Sequence, residues 1–248
     1  MKKIALGFSL CLALLVMTAT SGFAAPVPCP TTGSGAGGTP TYADLIATNA
    51  GGGCFIADKV FSGFTFLGTS SGTTPPAALT SSQVSYTLDT NAPTLIGFEF
   101  AMALNASGNG VNDVKISYNV NQVDGLSDIT SLHNLLTGQA SNGGSVSVAE
   151  TYCLGAFNNT GCSSSGELQT NNVTPHQDVF FSGVSMLSVI KDINAAGNGG
   201  NGLASLSGVR NAVDETPTGV PEPATVSYLL GGGGLLALGW LRRKSTKS

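Results

Sequence analysis

The chain has 248 residues, 34 of them glycine, is 42% hydrophobic, and carries a formal net charge of −4. Between residues 25 and 219 the balance is lopsided, with Lys59, Lys115, Lys191 and Arg210 the only bases against 13 carboxylates, a net of −9. Such a surface repels polyanions and excludes electrostatic nucleic-acid binding, while a segment of about 195 residues suffices for one domain with a sizeable core.

At the N-terminus, Lys2 and Lys3 precede an apolar run over residues 4–17 that only Ser9 interrupts, and small residues dominate 18–24. This is the pattern of a cleavable export signal, with Gly22 and Ala24 suiting the −3 and −1 positions of a cut after Ala24. Cys11 follows Leu10 inside the apolar run, where a lipoprotein signal needs a small residue, so it reads as part of the leader. Four cysteines remain: Cys29, Cys54, Cys153 and Cys162. An even number in an exported chain predicts two disulfides. Three pairings are open, and short loops close most readily, which favours Cys29–Cys54 with Cys153–Cys162. There is no Cys-x-x-Cys, and His133 and His176 lack ligand-like spacing, so the sequence predicts no metal and no cofactor.

Residues 41–47 have the pattern of a short helix, with Thr41 as N-cap and Asp44 at the capping-box position. Period-two alternation then takes over. It places Val84, Tyr86 and Leu88 on one face of a strand, and Ile96, Phe98, Phe100 and Met102 on one face of another. Residues 59–67, 114–120, 145–148, 178–193 and 203–213 read as further strands. Residues 128–136 carry Ile129, Leu132, Leu135 and Leu136 near helical spacing, but their surroundings favour a strand. Clusters of Gly, Ser, Thr and Asn punctuate these segments; residues 194–202 read as a loop and 214–219 as a linker. Seven or eight strands with turns between them predict an all-β fold over residues 25–213, an antiparallel β-sandwich of jelly-roll or immunoglobulin type.

Chemistry is hard to find in this domain. Gly68-Thr69-Ser70-Ser71-Gly72 has the spacing of a nucleophile elbow, yet Pro75 and Pro76 follow where a helix is needed. Gly197 to Gly202 fits a phosphate-loop pattern, yet a strand follows it, not a helix N-terminus. Glu99, between Phe98 and Phe100, is the best candidate for one of two glycosidase carboxylates, with Glu150 or Asp113 as partner. Its strand face is otherwise small residues, which fits a solvent face equally well. Asn109, Asn112 and Asp113, then Asn119, Asn121, Asp124 and Asp128, offer oxygen ligands for calcium, although Asn and Asp make turns with no metal. No catalytic residue is assigned.

The last 29 residues are the most specific part of the chain. Val220, Pro221, Glu222 and Pro223 precede an uncharged stretch over 224–241, which ends at Arg242, Arg243 and Lys244. Eighteen residues span ~27 Å as a helix, barely the hydrocarbon thickness, and the basic cluster is a cytoplasmic stop. This tail resembles the PEP-CTERM sorting signal, a Pro-Glu-Pro triplet, a short hydrophobic span and a terminal Arg-rich cluster. The resemblance implies export, transient inner-membrane anchoring, and processing near the triplet by an exosortase, with delivery to the cell surface or an extracellular matrix. It also implies an association with biofilm and exopolysaccharide. The tail is also named after ice-binding proteins that carry it, but the domain lacks the regular Thr-x-Thr ladders of an ice-binding plane. The domain itself resembles sandwich domains of such proteins in Cys29, the helix, Gly52-Gly53-Cys54 and Phe61 to Phe66, a resemblance that implies no activity. The expectation is a non-enzymatic structural or adhesive protein, with a glycan-binding module as alternative and an envelope glycoside hydrolase as the weakest reading.

Overall fold

The computed structural model describes residues 25–90, 95–123, 127–157, 161–162 and 164–217; the expected leader, sorting triplet, span and basic stop lie outside them. Twelve strands follow in chain order: β1 (Val27–Pro28), β2 (Cys54–Ile56), β3 (Lys59–Ser71), β4 (Ser85–Asp89), β5 (Ile96–Ser107) and β6 (Val111–Gln122), then β7 (Ser127–Ser141), β8 (Ser145–Cys153), β9 (Ser165–Asn171), β10 (His176–Val184), β11 (Met186–Ala196) and β12 (Leu203–Pro217). Among the described residues there is one α-helix, α1 (Tyr42–Thr48), which precedes β2. The strands form a seven-stranded sheet in the order β1-β2-β3-β6-β11-β8-β9 and a five-stranded sheet in the order β10-β7-β12-β5-β4. All pairings are antiparallel except β1 with β2. Among the described residues no helix is long and apolar enough to cross a membrane.

The alternation in sequence becomes the core between the two sheets. Phe98, Phe100, Met102 and Leu104 of β5 are buried, and the Phe98 ring meets Phe61, Phe64 and Tyr118 from the other sheet. The helix forms where expected. Thr41 and Asp44 cap each other reciprocally, and Tyr42 and Leu45 are fully buried. The Tyr42 hydroxyl donates to the Ser117 carbonyl at 3.0 Å, fixing the helix against β6. Cys29–Cys54 ties the N-terminal segment to the sheet edge, and Cys153–Cys162 closes the loop after β8, the local pairing favoured by loop length.

Three features depart from the sequence expectation. The segment 178–193 is two strands: β10 belongs to the five-stranded sheet and β11 to the seven-stranded one, so the chain crosses between sheets at Ser185. The segment 214–217 is not linker; it continues β12 and pairs with β7 through Pro217↔Ser127. Asn112, Asn119 and Asn121 lie within β6 and not in turns. A strand count above the expected seven or eight follows from the crossing at Ser185, from the polar strand β9, and from the short β1 and β2.

Between the sheets the core is not purely apolar. Glu150 and Lys191 face each other across β8 and β11, fully buried, with Lys191 Nζ donating to Glu150 Oε2 at 2.7 Å. Directly opposite, Asn134 and Asn211 face each other across β7 and β12. Lys191 Nζ donates to Asn134 Oδ1 at 2.9 Å, and Asn211 Nδ2 donates to Glu150 Oε1 at 2.7 Å, so two polar pairs bolt one sheet to the other. Burial pushes the Glu150 carboxyl pKa up and the Lys191 ammonium pKa down, each against the opposing pull of its partner. A second cross-sheet clamp closes one end: fully buried Lys59 at the start of β3 bridges Asp58 and Glu215 near the end of β12, with Ser127 hydrogen-bonded to both acids. At Asp58 burial works against ionisation, but the Lys59 and Ser127 contacts outweigh it and hold that carboxyl below its ordinary range.

Removing one member of the central pair strands the other charge in a dry core. Lys191→Met is expected to cost about 3–5 kcal/mol in chemical denaturation, whereas the double change with Glu150→Leu recovers most of that loss. Equal stabilities for the single and double variants would show the pair to be solvated.

Candidate functional site

The acids considered for hydrolysis do not converge. Glu99 is exposed on the outer face of the five-stranded sheet, Glu150 is sealed between the sheets, and Asp113 lies on the outer face of the seven-stranded sheet. Glu99 pairs across the ladder with Thr87 and Arg210, not with a second acid. The oxygen ligands considered for calcium do not converge either: Asn112 points inward and Asp113 outward from adjacent positions of β6. Asn119 Oδ1 accepts a bond from Ser188 Oγ at 2.7 Å, and Asp124 lies outside the described residues. Ser70 of the elbow-like motif sits in β3, an extended strand with no helix directly after it, and Gly197 to Gly202 form the turn between β11 and β12.

Asp113 has a different neighbour. Partial burial, and then the carboxyl of Asp192 on β11, push its pKa up to about 6, against weaker bonds from Asn194 and Thr69. The two acids lie diagonally on one face, since Asp113 pairs with Asn194 and Asp192 with Lys115.

What the sequence does not suggest is the meeting of the two histidines. β7 and β10 pair antiparallel with Asp178 opposite His133 and His176 opposite Leu135. Alternation puts Leu132, Asn134 and Leu136 of β7 into the core, so His133 and Leu135 face outward. His133 Nδ1 lies 2.7 Å from Asp178 Oδ1, and His176 Nε2 lies 2.8 Å from the same oxygen. The other nitrogen of His133, Nε2, is 2.8 Å from Ser131 Oγ, and the edge of the Phe180 ring meets the imidazole at a 6.2 Å centroid distance. Leu95, Leu135 and Arg210 complete a hollow of about 180 Å³ around the three residues, with the Arg210 guanidinium engaged by Asp89.

Ser131, His133 and Asp178 thus have the contacts of a hydroxyl–imidazole–carboxylate relay. Ser131 is only 1% exposed, and its hydroxyl at Nε2 is placed to orient the imidazole. The cluster escapes a search by motif because 43 positions separate the histidines and the strand register alone unites them. The one sequence signal is parity: His176 and Asp178 alternate as do His133 and Leu135.

A larger and shallower groove of about 530 Å³ lies where β5 and β7 end and β12 begins, lined by Asn105, Ser107, Gln139, Ser141, Ser205 and Thr74 among others. Its polar lining is hydroxyl and amide, without an aromatic ring.

Beyond the last described strand, residues 219–244 match the family model of the PEP-CTERM protein-sorting motif. The chain carries a PEP-CTERM tail. That tail implies export, anchoring through the C-terminus before processing, and an exosortase, a membrane enzyme, as the processing partner. The PEP-CTERM match begins two residues after Pro217, the end of β12. No curated protein matches the chain. Similar solved structures include TmCBM61 in complex with β-1,4-galactotriose (8% identity, TM-score 0.28, 58% of this chain and 86% of that one). Another is the Glycosylation Associate Protein complex from Streptococcus agalactiae (9%, TM-score 0.27, 60% and 26%). A third is the enzymatically active domain of tailspike protein 4 from bacteriophage CBA120 (8%, TM-score 0.28, 60% and 19%). Likenesses this distant establish no shared ligand.

The Asp113–Asp192 pair makes a pH prediction. A raised folded-state pKa means the folded chain holds that proton more tightly, so the contribution is fully present below the ordinary carboxylate value of 3.8 and is lost as pH rises through about 6. Asp113→Asn is expected to reduce the fall in denaturation midpoint between pH 5 and pH 7. An unchanged fall would dissociate the pair from the pH dependence.

Proposed function

We propose that this chain is an exported envelope protein, delivered through its PEP-CTERM tail to the cell surface or an extracellular matrix. There its β-sandwich serves a structural or adhesive role without catalysis. The observation that carries this reading is the direct junction of the sorting motif to β12, the middle strand of the five-stranded sheet. Processing near Pro221, Glu222 and Pro223 leaves the folded domain intact with its C-terminus at the end of that strand. The disposition of charge supports the same reading. Lys59, Lys191 and Arg210, three of the domain's four bases, are paired with carboxylates inside or against the sheets. They support the fold, and the exterior left to solvent is acidic and hydroxyl-rich, suited to a hydrated polysaccharide matrix.

A glycan-binding module is the second reading, favoured by the amide- and hydroxyl-lined groove at the ends of β5, β7 and β12. Its polar groups suit sugar hydroxyls, and its lack of an aromatic platform predicts weak, avidity-dependent binding. The biofilm and exopolysaccharide associations belong to this reading too.

Intact-mass measurement on cell fractions tests the leading proposal. The surface or medium fraction is expected to hold a form that begins near Ala25 and ends near Pro221–Pro223, gaining ~2 Da per disulfide on reduction. A mature form that still ends at Ser248 would refute sorting. Binding of the processed domain to a glycan array, abolished by Gln139→Ala with Asn105→Ala, would move the module reading ahead of the structural one.

A further inference from the structure

We infer that His133, His176 and Asp178 form a binding site for a divalent first-row transition ion, of which zinc is the representative probe. The site lies on the outer face of the five-stranded sheet, away from the acidic clusters that sequence spacing brings to mind. One ligand atom from each residue lies within 4.8 Å of the others, and His133 Nδ1 and His176 Nε2 both approach Asp178 Oδ1. Two imidazole nitrogens with one carboxylate suit a borderline ion and not calcium or magnesium, which take oxygen ligands.

Geometry supports the assignment. Zinc–ligand bonds of about 2.0–2.2 Å place tetrahedral ligand atoms about 3.3 Å apart. Asp178 Oδ1 stands 2.7 and 2.8 Å from the two nitrogens, so an ion replaces the bridging protons once those distances open by about half an ångström. His176, with its side chain 56% exposed, has room to make that adjustment. His133 is held: Ser131 Oγ faces its Nε2 from a buried position, and the Phe180 ring edge meets its imidazole. A hydroxyl serves either tautomer, donating to a bare Nε2 or accepting from Nε2–H once the ion occupies Nδ1. A hydrogen-bonded far nitrogen is what metal-ligating histidines characteristically have. The surrounding hollow leaves the remaining coordination positions to water or to a ligand from outside.

This site is independent of sorting and of the groove. An ion here joins β7 to the edge strand β10, and its open positions accept a donor atom from a matrix component or a second chain.

The test is zinc titration of the purified full chain, free of any polyhistidine tag, by calorimetry in buffer with excess calcium. One zinc per chain with micromolar affinity is expected. His176→Ala, at an exposed position that leaves the fold intact by circular dichroism, should weaken binding at least tenfold. Ser131→Ala, which keeps all three ligands, should weaken it by roughly 10–100-fold, the usual effect of losing a group that orients a ligand. A cobalt(II) spectrum with visible tetrahedral bands in the wild type and not in His176→Ala supports the same ligand set. No uptake at 100 µM zinc (about a hundred times the micromolar expectation), or uptake indifferent to His176→Ala, overturns the inference.

Discussion

Two opposite charges without water between two sheets constrain everything around them. Glu150 and Lys191 are each fully buried, and the cost of taking an ion out of water is several kcal/mol unless its partner and its remaining hydrogen bonds are all in place. Asn134 and Asn211 supply those bonds from the opposite sheet, so the registers of β7 against β12 and of β8 against β11 must agree with each other. A one-residue slip in any of the four strands turns its polar residue to the outside and leaves a charge or amide unmatched. Apolar packing alone tolerates many near-equivalent arrangements of two sheets; this quartet selects one.

The same constraint explains how the outer face acquires its cluster. With Asn134 fixed inward between Leu132 and Leu136, His133 has to point outward, and the β10 register sets Asp178 beside it. The inner quartet and the outer histidine–aspartate cluster therefore use the two faces of one strand, β7, which pairs with β12 on one side and with β10 on the other. Asn211 Nδ2 also donates to the His133 carbonyl at 3.0 Å, joining the two directly through the backbone.

Much of this was legible in the sequence, and the reason is local. Period-two alternation around Val84, Phe98, Val114 and Val146 reports which side of a strand is covered, and each of those strands is present. The capping box at Thr41 and Asp44 and the two short disulfide loops are local as well. The crossing at Ser185 was not legible, because the same parity is apolar on both sides of it, at Val179 and Phe181 and again at Leu187 and Val189, and the only mark of the change of sheet is the interruption by Gly183 and Ser185. The core quartet left a trace that is plain in hindsight: Lys191 stands between Val189 and Ile193, Asn134 between Leu132 and Leu136, Asn211 between Val209 and Val213, and Glu150 two residues after Val148. A polar residue on the apolar parity of a strand signals a buried partner. The histidine cluster left less, since register between strands that are distant in sequence depends on the whole sheet.

The passage of β12 directly into the sorting tail also sets how the domain bears load. β12 is bonded to β7 along its length and to β5 from Leu203 to Val213, and the Lys59–Glu215 contact pins its last residues to the other sheet. Antiparallel hydrogen bonds run perpendicular to the strands, so tension applied along β12 from a membrane-held tail stresses two rows of them in shear at once instead of peeling them one by one. A domain tethered at an edge strand would unzip under the same pull. This one is held at its central strand, and a pull there is resisted by both neighbouring strands before the fold opens.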